Sequence, residues 1–127
     1  MRPKALIVVL AEDEDLVRNY ISAMLQQNGF RVLRASNAER ALVTCRETPN
    51  ISVVLSDIEM GFGMSGIELA KCLSDERPEI RVVLMSGAPG MKRVAVANHF
   101  PFILKPFLLA AIVELLRETM AATMLSI

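Results

Sequence analysis

Six residues in this sequence have the types and positions to do chemistry together. Glu12 and Asp13, with Glu14 behind them, follow the apolar run ALIVVL (5–10). Asp57 closes SVVLSD (52–57), Ser86 closes RVVLMS (81–86) and Lys105 closes PFILK (101–105). If the runs ending at these acids are neighbouring strands, Glu12, Asp13 and Asp57 crowd together, and carboxylates that close do not all stay ionised without a compensating cation. Either a proton is retained or a metal enters. Hard oxygen ligands with a partly solvated rim suit Mg²⁺, which keeps several waters and takes few protein oxygens. Singly, each residue has a plain structural reading: acids favour the first turn of a helix, Asp57 suits a turn, Ser86 before Gly87 suits a loop, and Lys105 suits a solvated surface. The coincidence of acids, hydroxyl and lysine at the ends of separate apolar runs carries the argument.

The elements that must position them are legible in the same pattern. Five short runs rich in β-branched residues, the four above and FRVLRA (30–35), alternate with stretches of helical period, as parallel βα units do. The first, third and fourth runs are apolar without alternation, as central strands covered on both faces are; the second alternates and suits an edge. The spacing predicts a helix over 15–27 with Val17, Tyr20, Ile21 and Met24 on one face and Gly29 in a left-handed cap. A capping box of Ser36 and Glu39 opens a second helix running to Arg46, before Pro49. A third over 67–76 turns Leu69, Ala70 and Leu73 inward and stops before Pro78. Residues 91–98 form only a short helix. The last, over 107–124, presents Leu109, Ile112, Val113, Leu116 and Met120 on one stripe.

Five such units in 127 residues predict one α/β domain over 1–127: a flavodoxin-like, doubly wound (βα)5 sandwich whose five-stranded parallel sheet has the order 2-1-3-4-5. Sites in this architecture gather beyond the carboxyl ends of the strands, where all the residues singled out fall. Lysine plus arginine equal aspartate plus glutamate at 14 each, so no net field argues for nucleic acid or an anionic membrane. The longest early apolar run is far short of the ~20 residues that span a bilayer. Arg2 and Lys4 precede it, but acids follow where a secretory signal needs small residues, and a cytoplasmic protein is expected. Cys45 and Cys72 show no metal or redox spacing and read as ordinary thiols. His99 reads as a loop residue, and Leu108 and Leu115 leave apolar surface on the last helix that suits a homodimer or partner face.

From about Lys4 to the end of the last helix the chain resembles the receiver domains of two-component response regulators, of the chemotaxis-regulator type. VVLAEDEDLVR resembles the family's first strand and acidic pair, LSDIEM its phosphoacceptor strand, GMSGIELA the start of its third helix, LMSG the strand with its switch hydroxyl, and FILKPF its lysine-proline segment. The resemblance implies that Asp57 accepts a phosphoryl group from a sensor histidine kinase or histidine phosphotransfer protein. It implies that Mg²⁺ is held by Asp13, Asp57 and the backbone carbonyl of Glu59, with Glu12 acting through metal-bound water. Lys105 would pair with the phosphoryl oxygens, Ser86 would close on them, and Phe102 matches the aromatic that changes rotamer in the switch. The Lys105-Pro106 bond is often cis in the family. The function implied is a phosphorylation-controlled switch acting on a downstream protein target, with self-phosphorylation and autodephosphorylation its only chemistry, and with too few residues after the last helix for an output module in this chain.

Two departures from the family pattern stand out. Gly61 replaces the proline usual four residues after the acceptor, in a loop one residue longer before Gly66. The span from Ser86 to Lys105 is also short, which trims the fourth helix. Three other functions compete. A Mg²⁺-dependent phosphohydrolase with Asp57 as nucleophile would usually carry that residue on the first strand and add a capping insertion. A flavin or nucleotide binder would hold phosphate after the first strand, where these acids repel it. A degenerate receiver would act only as a binding module.

Overall fold

The computed structural model describes residues 5–125; Arg2 and Lys4 lie outside them. Strands Ile7–Ala11 (β1), Arg31–Ala35 (β2), Ile51–Asp57 (β3), Arg81–Ser86 (β4) and Phe102–Leu104 (β5) form one parallel sheet in the order β2-β1-β3-β4-β5. Between and after them run the helices Asp15–Gln27 (α1), Ala38–Glu47 (α2), Gly66–Glu76 (α3), Met91–Ala97 (α4) and Leu109–Leu125 (α5). The predicted fold and strand order are those observed.

Alternation along the strands divides the core into two layers. Val8 and Leu10 of β1, Val53 and Leu55 of β3, and Val83 and Met85 of β4 pack with Ile21 and Leu25 of α1 and with Ile112 and Leu116 of α5. Val9, Val54, Val82 and Leu84 face the other way, against α2, α3 and Ala95 of α4. The central strands are buried on both faces, whereas β2 is largely half-exposed, as its alternating sequence predicts for an edge.

Two local expectations are corrected. The cap of α2 is Asn37, whose side chain accepts from Arg40 N at 2.8 Å, and not Ser36. Glu39, freed from a capping box, reaches across the fold and accepts from Met64 N at 2.6 Å. Tyr20 is 66% exposed, because Ile21, Met24 and Leu25 define the inward stripe of α1 and Tyr20 lies about 100° to one side of Ile21. Gly29 does take the left-handed conformation expected after α1, with φ +88°. α3 opens on an unanticipated capping box: Ser65 accepts from Glu68 N while Ser65 N donates to the Glu68 carboxylate.

Candidate functional site

Strand register brings the polar residues together. Ala11 of β1 pairs with Ser56 of β3, and Asp57 pairs with Met85 of β4, so Glu12, Asp57 and Ser86 each stand at or one residue beyond the last rung. Leu104 of β5 pairs with Ser86, which puts Lys105 one step past that strand. The ladder bonds continue here, with Glu12 N donating to Ala35 O at 3.1 Å, Ile58 N to Met85 O at 2.9 Å and Lys105 N to Ser86 O at 2.8 Å. The site therefore sits on rigid backbone at the switch in strand order.

Lys105 Nζ joins the two buried acids, donating to Glu12 Oε1 at 2.8 Å and to Asp57 Oδ2 at 3.1 Å. Glu12 is fully buried, and its second oxygen accepts from Glu14 N at 3.1 Å. Carboxylate oxygens of Glu12, Asp13 and Asp57 all lie within 4.8 Å of one another. One ammonium thus faces three carboxylates. Burial, and then the Glu12 charge, push Asp57 up to about 7 against the pull of Lys105. Asp13 is also raised, by its own partial burial and by Glu12. Burial pulls the Lys105 ammonium down, but its bond to Glu12 and the two carboxylate charges outweigh that and leave it raised.

Asp57 Oδ1 is buried and has no hydrogen-bond partner among the described residues. A buried carboxylate oxygen left unpaired costs stability unless something else satisfies it. An orphaned hard oxygen beside two further acids fits a divalent cation such as Mg²⁺. Glu12, Asp13 and Asp57 are the side chains that supply the negative charge such an ion would need, whether by direct contact or through its water.

Ser86 is fully buried, and its hydroxyl is engaged: it donates to the Glu59 carboxylate at 2.9 and 3.1 Å and accepts from Ala88 N at 3.0 Å. Phe102 is half-buried against the α2–α3–α4 layer. The Lys105-Pro106 peptide is cis. Three supporting residues escaped the sequence reading. Arg18 donates to the Glu12 backbone carbonyl at 2.9 Å and pairs with Asp15 at 2.6 Å, which ties α1 to the acid turn; its place one turn into a helix that follows acids was the available signal. Gly66 N donates to Ile58 O at 2.9 Å, and a Cβ on Gly66 would lie 2.1 Å from the Asp57 carbonyl oxygen, so α3 needs glycine there to approach the acceptor strand. Ser56 Oγ donates to the Asp57 carbonyl at 2.9 Å.

A cavity of about 680 Å³ lies away from this chemistry, at the other end of β4 and β5, lined by Arg81, His99, Phe100 and Glu118 among others. His99 stands beside it in a left-handed loop position with φ 64°, as a loop residue and not a ligand of the acid site.

A doubly wound sheet with an acid cluster and a lysine at the switch in strand order defines a flavodoxin-like α/β protein with its polar site beyond the carboxyl ends of the strands. Residues 8–117 match the family described as the response regulator receiver domain, and the chain belongs to that family, a signalling module of two-component systems. It is 33% identical over 110 residues to the transcriptional regulatory protein FixJ of Rhizobium meliloti, covering 84% of this chain and 53% of that protein. It is 29% identical over 121 residues to a putative NtrX-like response regulator of Rickettsia bellii, covering 93% of this chain and 25% of that protein. The chain thus spans about a quarter of the length of such NtrX-like relatives. Among solved structures, a response regulator receiver domain protein from Clostridium thermocellum superposes with a TM-score of 0.86 at 19% identity, over 96% of this chain and 99% of that one, and supports the fold. A LuxR-family DNA-binding response regulator from Staphylococcus aureus does so with a TM-score of 0.81 at 27% identity, over 91% and 98%. Among the described residues no helix is long and apolar enough to cross a membrane.

Proposed function

We propose that residues 1–127 act as a single cytoplasmic phosphoacceptor receiver, in which Asp57 takes a phosphoryl group from the phosphohistidine of a sensor kinase or histidine phosphotransfer protein. An Asp57 carboxylate oxygen forms the new bond to phosphorus, the phosphorus–nitrogen bond of the donor breaks, and the departing imidazole takes a proton from solvent. The observation that carries this reading is the unpartnered buried oxygen of Asp57 inside the acid cluster, with its other oxygen already on Lys105. Mg²⁺, when bound, supplies neutralisation of the phosphoryl oxygens. Asp13, Asp57 and the Glu59 carbonyl would be its ligands, and Glu12 would act through its water.

The residues of the chain do the rest. Lys105 stands where it would move from the carboxylates to a phosphoryl oxygen, and Ser86 lies on the neighbouring strand end, able to donate to another. The dianionic group would draw both inward and bias a two-state equilibrium of the surface around β4 and β5, with Phe102 as its aromatic reporter and a downstream protein as its reader. Intact mass spectrometry after incubation with acetyl phosphate tests this. One Mg²⁺-dependent phosphoryl adduct is expected, absent in Asp57→Asn. If neither that adduct nor beryllofluoride binding is detected, the acceptor role is lost.

A further inference from the structure

We infer that the Glu59 carboxylate is an internal competitor for the Ser86 hydroxyl, so that phosphorylation must break a Glu59–Ser86 tie before the switch can close. The inference rests on the reading of Asp57 as phosphoacceptor and deepens it. Ser86 has one proton to give, and both Glu59 oxygens, at 2.9 and 3.1 Å, share it. Ala88 N occupies the acceptor side of the same oxygen at 3.0 Å. A phosphoryl oxygen arriving at Asp57 needs that proton, and it meets a hydroxyl already committed to an anion. Glu59 thus stands in for the phosphoryl group in the resting protein.

The two partners differ in a way that suits a releasable tie. Ser86 is fully buried at the end of β4, with its position set by the Lys105 N–Ser86 O ladder bond. Glu59 is exposed and belongs to the loop between β3 and α3, where Gly61 and Gly63 have φ of +69° and +91°. Those backbones turn freely where other residues are strained. The carboxylate can therefore leave for solvent without dragging a strand with it. Breaking the tie also separates two loops, because Glu59 lies after β3 and Ala88 after β4, and the resting contact joins them through one hydroxyl.

The competition has a measurable size. A hydrogen bond to a charged acceptor is worth about tenfold in an equilibrium constant when partly screened. Titration calorimetry with beryllofluoride and Mg²⁺ on wild type, Glu59→Ala, Ser86→Ala and the double variant separates this effect from simple charge repulsion. Glu59→Ala is expected to bind beryllofluoride about 5- to 10-fold more tightly than wild type, and most of that gain is expected to vanish in the Ser86→Ala background. Glu59→Gln, whose amide oxygen still accepts from Ser86, should gain about half as much on a logarithmic scale, and it serves if the alanine variant folds poorly. Equal affinity of Glu59→Ala and wild type, or a gain that survives without Ser86, overturns the inference while leaving the acceptor role intact. Absence of both beryllofluoride binding and acetyl phosphate labelling in wild type instead removes the acceptor reading, and the inference with it.

Discussion

At the scale of single residues, the site is held by one cation. Lys105 bonds Glu12 and Asp57 with its side chain only 20% exposed, and the Glu12 side chain is fully buried. Removing one partner of a buried ionic pair leaves an uncompensated charge. Lys105→Met is therefore expected to destabilise the metal-free protein at neutral pH by about 2 kcal/mol, less than for a fully dry pair because the lysine keeps some solvent. Urea unfolding checks this, and a change below about 0.5 kcal/mol would refute the argument from an uncompensated buried charge. Cys45 offers a second case. Burial pushes its thiol up to about 11, despite the nearby Arg77 charge, so the reactive thiolate is scarce at ordinary pH. Cys45 should resist a disulfide exchange reagent at pH 8 in the folded protein and react on denaturation; rapid labelling of Cys45 itself, as distinct from the half-buried Cys72, would contradict its full burial.

Among the elements, α3 shows most clearly how packing overrides local preference. An alanine in place of a helical glycine usually stabilises by about 0.5–1 kcal/mol. At Gly66 the added Cβ would lie 2.1 Å from the Asp57 carbonyl oxygen and 3.0 Å from Ile58 Cα, both backbone atoms that cannot turn aside. Gly66→Ala is expected to cost about 3 kcal/mol and to abolish acetyl phosphate labelling, because the shift falls on the acceptor strand itself. Gly90→Ala, where a Cβ meets nothing within 4 Å, should change stability by less than about 0.5 kcal/mol. Equal effects of the two would refute the steric argument. The sequence marked GMSGIELA as the opening of this helix but did not reveal why glycine stands there, since the contact partner lies nine residues back on a strand. The same limit governs α2. Ser36 and Asn37 are both good caps, and only the path of the chain leaving β2 decides for Asn37, which releases Glu39 to the loop before α3. Strand ends and the inward residues of α3 and α5 were legible because periodicity reports burial directly. The Glu59–Ser86 bond was not, because no spacing rule connects a loop carboxylate to a hydroxyl 27 residues away.

For the whole molecule, the acid pocket sets a conflict between stability and the proposed chemistry. Burial, and then the Glu12 charge, push Asp57 up to about 7 in the folded chain from its ordinary value of 3.8. Between those limits the folded state holds a proton that the unfolded state releases, so folding stability falls as pH rises from about 4 to about 7 and levels above it. Asp13, raised in the same direction, adds to the slope. This sign is opposite to that of an ion-paired carboxylate such as Glu76, which Arg46 holds below the usual range through their hydrogen bond. Asp57→Asn should flatten the slope and make the metal-free protein more stable than wild type at pH 8, at the expense of the acceptor. A ligand that binds only the folded state stabilises by mass action, and a cation that needs ionised carboxylates competes with the retained proton. Added Mg²⁺ is therefore expected to raise the wild-type unfolding midpoint little at pH 5 and clearly at pH 8, and to have less effect on Asp57→Asn. Chemical denaturation across that pH range, with and without Mg²⁺, measures all of these terms together. A wild-type slope that survives in Asp57→Asn would place the conflict elsewhere than at the acceptor, whereas its loss in the variant would show that the charge crowding of this one pocket is felt by the entire fold.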